Sequence, residues 1–356
     1  MSKLITIVVP TYNMEKYLDR CLTSLLVPSE LMELLEVLVI NDGSKDTSSE
    51  IAHRYEKQYP EAFRVIDKEN GNYGSCINRA LKEATGKYIK VLDADDFFVT
   101  DNWKVFLDQL QHIDADLILT DFCFVSENHN HKTYRSFEIT PQIKQAVSDV
   151  IGLISGMEMH TITYRRQLLL EMNYHQTEGI SYTDAEWATL PIINVSSVYY
   201  VPLCIYNYFV GRDGQTMDPK IFFSRRMDVF HVYTRILEFC ADNNLLQSSI
   251  SSFYIKRLKN YYLQLYAQSL IYRKFPSADL VAIDINIKNK AIEIYEEMSL
   301  STFSKICYIN IWRRNEYKMP FLVAIKIYLI CLKRTYFPWL RVGRINLKHT
   351  HCKALF

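Results

Sequence analysis

Several absences narrow this sequence before any motif is read. Its 356 residues include only ten Gly and ten Pro, which excludes collagen-like and low-complexity chains. The longest apolar stretch, Phe321 to Leu332, is 12 residues long and interrupted by Lys326, too short to cross a bilayer as a helix. Among eight cysteines there is no CxxC pair. Cys76, Cys123, Cys240 and Cys331 sit inside apolar runs, the pattern of ordinary buried thiols in a reduced, cytoplasmic chain. Met1-Ser2-Lys3 leads straight into a strand-like run, so no signal peptide is expected. The net charge of +1 gives no chain-wide attraction to nucleic acid. No internal repeat or structureless linker is found.

What is present is an ordinary globular composition, 49% hydrophobic and 23% charged, which excludes disorder as the dominant state. The 25 Tyr and 18 Phe suit broad aromatic packing or a carbohydrate-facing surface. Charge is uneven. From Ile311 to Phe356 ten basic residues face one acid, Glu316, so that tail is at +9 and the rest of the chain at −8. A basic tail rich in Trp and Tyr on an acidic body suits an anionic surface, and peripheral membrane contact is expected there, or packing of the tail on its own body.

The first 125 residues alternate between short β-rich runs and helical patterns. Strands are expected at Leu4–Val9, Val37–Ile40, Phe63–Ile66, Tyr88–Leu92 and Leu117–Thr120, with helices near 17–26, 48–59, 75–84 and 103–111 between them. Near-continuous apolar strands in such alternation predict a mostly parallel sheet covered by helices on both faces, an α/β fold. From Val125 to Tyr208 the pattern is mixed, and after Ile221 it is helical, with Phe230, Val232, Tyr233, Ile236, Leu237 and Phe239 on one face and Tyr254, Leu258, Tyr261, Tyr262, Leu265 and Leu270 on another. The expected organisation is a donor-binding domain over 1–125, an acceptor and catalytic part over 126–220, and a helical region over 221–356.

In parallel sheets ligands bind outside the carboxyl ends of the strands. Three polar turns emerge there: Pro10-Thr11-Tyr12-Asn13, Asn41-Asp42-Gly43-Ser44 and Asp93-Ala94-Asp95-Asp96. Two carboxylates one residue apart can hold one hard cation, and Mg²⁺ or Mn²⁺ suits carboxylates together with substrate phosphates. An Asp-x-Asp triplet by itself says little, since about one is expected by chance in a chain of this length and ordinary composition. The chain contains its own control, Asp114-Ala115-Asp116. That copy precedes its strand, so it is expected at the amino edge of the sheet as a solvated turn.

IVVPTYN at 7–13, VINDGSKDTS at 39–48, NGNYGSCINRAL at 70–81 and GKYIKVLDADD at 86–96 resemble, in order and spacing, family 2 glycosyltransferases of the GT-A fold. A looser likeness continues through GISYTDAEW at 179–187 and IYNYFVGRDGQT at 205–216. The resemblance implies that the Pro10 to Asn13 turn (Pro10, Thr11, Tyr12, Asn13) holds the base and ribose of a UDP-sugar. Asp42 would accept the uracil imide, and Asp93 would contact the ribose or metal. Asn78 would lie in the donor site, and Asp95 would bind the divalent ion. Asp184 would be the catalytic base of an inverting transfer to a glycan or lipid-linked acceptor, in the setting of bacterial surface polysaccharides. Two departures stand out: Thr183 replaces a Glu, and Ile77 replaces an Arg whose donor contact is either missing or supplied by Arg79 or Arg212.

Other residues carry more than one reading. Asp96 reads as a metal ligand or, preferably, a turn residue, and Thr183-x-x-Glu186 as a capping box. His160 reads as a core histidine or an acceptor contact. Arg212 and Gln215, in Gly211-Arg212-Asp213-Gly214-Gln215, read as phosphate or acceptor contacts or as a polar turn. The His-rich tracts at 128–131 and 349–352 and the Asn194-Val195-Ser196 pattern are read as without function here. A nucleotidyltransferase would share the carboxylates, but would need a basic phosphate loop where Pro10-Thr11-Tyr12-Asn13 stands. A non-catalytic nucleotide-sugar-binding relative would be expected to lack Asp95 or Asp184, and a glycosyltransferase acting on a protein acceptor is the other alternative.

Overall fold

The computed structural model describes residues 3–126, 133–212, 214–215, 219–271, 277–300 and 308–325. They form two compact units, Met1–Asp213 and Gly214–Phe356.

Ten strands of the first unit make one sheet: β1 Ile5–Thr11, β2 Leu35–Asn41, β3 Phe63–Asp67, β4 Tyr88–Val91, β5 Phe97–Phe98, β6 Leu117–Ser126, β7 Thr133–Arg135, β8 Lys144–Ala146, β9 Ile162–Arg165 and β10 Ser197–Val210. Their order is β3-β2-β1-β4-β9-β6-β10-β5, with β7 added to β6 and β8 to β10. Helices α1 Leu18–Thr23, α2 Ser29–Met32, α3 Ser48–Gln58, α4 Asn72–Glu83, α5 Thr100–Leu110, α6 Val147–Val150, α7 Arg166–Glu171 and α8 Asp184–Trp187 complete the unit. All seven residues of β2 are buried, which is what an unbroken apolar run requires of a strand covered on both faces. The expected strands and helices of the first 125 residues are all present, with α4 beginning three residues earlier and β6 running six residues longer than the sequence pattern indicates.

The long ladders are parallel, as expected: β1 with β2 and β4, β2 with β3, and β6 with β10. The segment after Val125, which reads as irregular, nevertheless supplies two strands of the core. Of these, β9 is antiparallel to both β4 and β6. Because it reverses twice, β4, β6 and β10 still direct their carboxyl ends to the same edge as β1 and β2. The start of β9 reaches that edge and its end reaches the opposite one. Lys90 in β4 pins the arrangement, since its buried ammonium donates to the carbonyls of His160 at 2.7 Å and Ile162 at 3.2 Å. Burial pushes this lysine down to about 7.

The second unit is helical, as the periodicity predicts: α9 Pro219–Ser224, α10 Arg226–Asp242, α11 Ser251–Tyr266, α12 Ser277–Lys290, α13 Ile292–Leu300 and a short helix, Ile309–Arg314. The buried face of α10 is Val229, Val232, Tyr233, Ile236, Leu237 and Cys240, whereas Phe230 and Phe239 are half-buried flanks. On α11, Tyr261 is half-buried and stacks on Tyr233 at 4.5 Å between ring centroids. Arg313 forms a buried ion pair with Asp284 at 2.7 Å. No helix among the described residues is long and apolar enough to cross a membrane. Cys76, Cys123 and Cys240 are buried free thiols. Cys331, both His-rich tracts and the tail beyond Ile325 lie outside the described residues.

Candidate active site

The turns after β1, β2 and β4 meet at the carboxyl edge. Thr11 accepts the Asp42 N–H at 2.8 Å, which joins the first two turns. Asn13 takes a left-handed backbone, φ 54°, its N–H donating to Ser44 Oγ at 3.0 Å and its Oδ1 accepting from Lys45 N–H at 2.7 Å. Asn tolerates that conformation better than most residues. Tyr12 is 45% exposed on the open side of this frame. Asp42 is buried, and its Oδ1 accepts from Lys68 Nζ at 2.5 Å and Gly71 N–H at 3.0 Å. Lys68 was missed by sequence reasoning, which assigned Asp42 a ligand and looked for no internal partner.

Four carboxylates share the turn region. Asp93 Oδ1 accepts from Tyr73 Oη at 2.9 Å, and the Asp93 N–H donates to Tyr206 Oη at 3.2 Å. Its carboxyl is pushed up to about 7, first by burial and then by the negative charge of Asp95, with Asp184 adding to it. Asp184 lies in the same field, raising Tyr73 and Tyr208 as well. Asp95 is buried, its backbone carbonyl accepting from Arg20 Nη2 at 2.7 Å and its carboxylate paired with Arg212. Asp96 is fully buried, with Tyr206 Oη donating to Oδ2 at 2.6 Å and Phe209 N–H to Oδ1 at 2.7 Å. Its N–H closes a turn onto Asp93 O at 2.9 Å, in keeping with the preferred turn reading, while its carboxylate anchors β10. Burial, then the charges of Asp95 and Asp93, push its carboxyl far up.

A detached segment carries Asp184 to this edge. Gly74 in α4 faces the 176–177 backbone so closely that a Cβ would stand 1.9 Å from Thr177 O, so only glycine fits. Asn78 clamps the segment: its Nδ2 donates to Gln176 O and Glu178 Oε1, both at 2.8 Å, and its Oδ1 accepts from Gln176 N–H at 2.8 Å. Beside the donor-site role expected of it, Asn78 thus has a structural one, with its amide engaged by protein partners on this segment. The capping box is absent too. Glu186 turns away from the helix start to accept from Thr177 N–H at 2.9 Å and Thr177 Oγ1 at 2.7 Å. Thr183 Oγ1 accepts from Gln176 Nε2 at 3.0 Å. Tyr182, just before, holds φ 65°, an unusual conformation for an aromatic residue.

His160, in the short turn Met159–Thr161 just before β9, stacks on Phe122 at 5.0 Å and meets the rings of Tyr206 and Tyr208 at 4.8 and 4.6 Å. Its Nδ1 is buried without a hydrogen-bond partner, and burial pushes the ring down to about 4, so it is neutral near pH 7. One ligand atom each from Asp93, Asp96 and His160 lie within 4.8 Å of one another. The donor chemistry of this edge fits a hard divalent cation: carboxylates pressed together against their own repulsion, which such a cation relieves. Arg79 is engaged with Glu83 at 2.9 Å. Gln215 is buried and falls in the second unit.

Sequence reasoning also missed Tyr73 and Tyr206. Both stand inside quoted motifs, Tyr73 in the first turn of α4 and Tyr206 in β10, but Tyr206 reaches Asp96 across 110 positions, a pairing that local sequence does not encode.

Comparisons with known proteins agree with this architecture. The model of glycosyl transferase family 2 matches residues 6–172. The uncharacterized glycosyltransferase MG025 of Mycoplasma genitalium is 32% identical over 219 residues, covering 60% of this chain and 70% of that protein. Its homolog in Mycoplasma pneumoniae is 30% identical over 218 residues, with coverage of 60% and 70%. Among solved structures, residues 1–349 of S. aureus TarS, crystallised with UDP-GlcNAc, superpose with a TM-score of 0.52 at 20% identity, over 82% of this chain and 89% of that one. The sheet order, the strand-edge turns and these matches together place the chain in glycosyl transferase family 2, with the GT-A fold.

Proposed function

We propose that this protein is an inverting glycosyltransferase that moves a sugar from a UDP-sugar to a hydroxyl of a glycan or lipid-linked acceptor. The observation that carries the reading is the convergence of Asp93, Asp95 and Asp184 in one field at the carboxyl edge. Asp93 and Asp95 would hold Mn²⁺ or Mg²⁺, which as a Lewis acid would neutralise the departing diphosphate. Tyr12 and the frame of Pro10, Thr11 and Asn13 would seat the base and ribose beside Asp42. Asp184 would accept the proton of the acceptor hydroxyl, a task that typically contributes about 10²–10⁴-fold.

The bound UDP-GlcNAc of TarS supports a uridine diphosphate donor. A place in surface-polysaccharide synthesis, at the cytoplasmic face of the membrane, goes with the same reading. Exposed Phe321 and Leu322 next to the basic tail support peripheral membrane contact. Thermal unfolding with UDP, GDP, CMP and TDP, each with and without Mn²⁺, tests the donor site. A ligand at about 100 times its Kd stabilises by roughly 2.7 kcal/mol. A UDP-selective, Mn²⁺-dependent shift that disappears in Asp95→Ala is the expected result, and no shift with any nucleotide would overturn the reading.

A further inference from the structure

The carboxylate of Asp95 already has a cation. Arg212 pairs with its Oδ2, and both side chains are largely buried, 12% and 9% exposed. The guanidinium also lies 5.8 Å from the Tyr17 ring centroid, and its charge reaches Asp93, pulling that carboxyl down against burial and repulsion. A buried carboxylate without a partner would be strongly destabilising beside two other acids. Arg212 thus neutralises Asp95 as a divalent ion would.

A divalent ion on Asp95 competes with this guanidinium, since two cations on one carboxylate repel each other. Arg212 follows Gly211, whose φ of +99° is a backbone conformation that favours glycine. A guanidinium forks onto phosphate oxygens as well as onto a carboxylate. A diphosphate bound at this edge would offer such oxygens.

Resting on the assignment of Asp95 as a metal ligand, we propose that Arg212 is the place-holding cation of the donor site. It neutralises Asp95 until metal and nucleotide arrive together, then exchanges Asp95 for the donor's diphosphate. The exchange makes the metal and the nucleotide mutually dependent: neither alone both fills Asp95 and gives Arg212 a new partner. Such coupling is reciprocal and typically 5–150-fold.

The test is Mn²⁺ binding followed by electron paramagnetic resonance of the free ion, without nucleotide, for wild type, Arg212→Met and Arg212→Gln, with UDP binding measured alongside. Both variants are expected to bind Mn²⁺ alone about tenfold more tightly, and UDP in the presence of Mn²⁺ about tenfold more weakly, changes within the usual range of coupling. Mn²⁺ affinity unchanged or weakened in both variants, with UDP binding retained, would overturn the place-holder role and leave the donor site standing. Should wild type bind no Mn²⁺ even with UDP present, the metal assignment of Asp95 fails, and the inference with it. Unfolding curves of both variants establish that they are folded, and Arg212→Gln keeps a polar partner for Asp95 if Arg212→Met unfolds.

Discussion

The tripeptide Asp-Ala-Asp occurs at 93–95, after β4, and at 114–116, before β6, and the sheet separates the two copies to opposite edges. At the amino edge Asp114 is exposed among cations, with Arg165 at 2.7 Å and Lys87 at 3.3 Å. Hydrogen bonds from Arg165, then from Lys87, hold its carboxyl down at about 2. Asp116 Oδ2 accepts from the N–H and Oγ of both Ser196 and Ser197, at 2.5 to 3.1 Å. Burial would raise that carboxyl, and the serine hydrogen bonds hold it below the usual range. At the carboxyl edge the same residues are crowded by acids, and Asp93 rises instead. Identical chemistry becomes an anchor where its charge is satisfied and a candidate reactive centre where it is frustrated. One strand connects the two edges, since β9 follows His160 at Ile162 and ends at Arg165.

The two edges should differ most in activity. Asp184→Asn is expected to lower kcat about 10²–10⁴-fold with unfolding little changed. Asp116→Asn should leave kcat of the folded enzyme near wild type, and an equal loss in both variants would dissolve the distinction between the edges. Stability should separate them the other way. Asp116→Ala leaves four donors of Ser196 and Ser197 without their acceptor, expected to cost roughly 2–3 kcal/mol in urea unfolding. The pH dependence should differ in sign. Asp93 holds its proton to about 7 when folded but loses it near 4 when unfolded, so its contribution to stability falls as pH rises from about 4 to 7. Accordingly Asp93→Asn, measured without metal, should gain stability over wild type across that window. Asp114 is the reverse and the smallest effect: its contribution, present above about 4, is lost as pH falls toward 2. Being 68% exposed, it is worth less than about 1 kcal/mol, read as the Tm difference of Asp114→Asn at pH 6 vanishing by pH 2.

Much of the fold was legible because the strands of the donor half are unbroken apolar runs ended by turn residues, and such runs have few other stable arrangements. By contrast β9 was not legible. Four residues, Ile162-Thr163-Tyr164-Arg165, carry too little pattern, and their direction depends on Lys90 and on neighbours far away in the chain. The site was legible as a set of strand-end acids but not as a wiring diagram. Asn78, Gly74 and Glu186 turned out to position the segment bearing Asp184, and Lys68 and Arg212 to hold the acids at Asp42 and Asp95.

The sequence by itself determined which segments of the first 125 residues become the long strands, which edge each polar turn occupies and the family to which the motifs belong, because periodicity and chain direction are local properties. Tertiary structure alone decided which carboxylates would be satisfied and which crowded. That depends on partners 26 to 117 positions away, and the charge state of a buried acid is set by what folding places beside it.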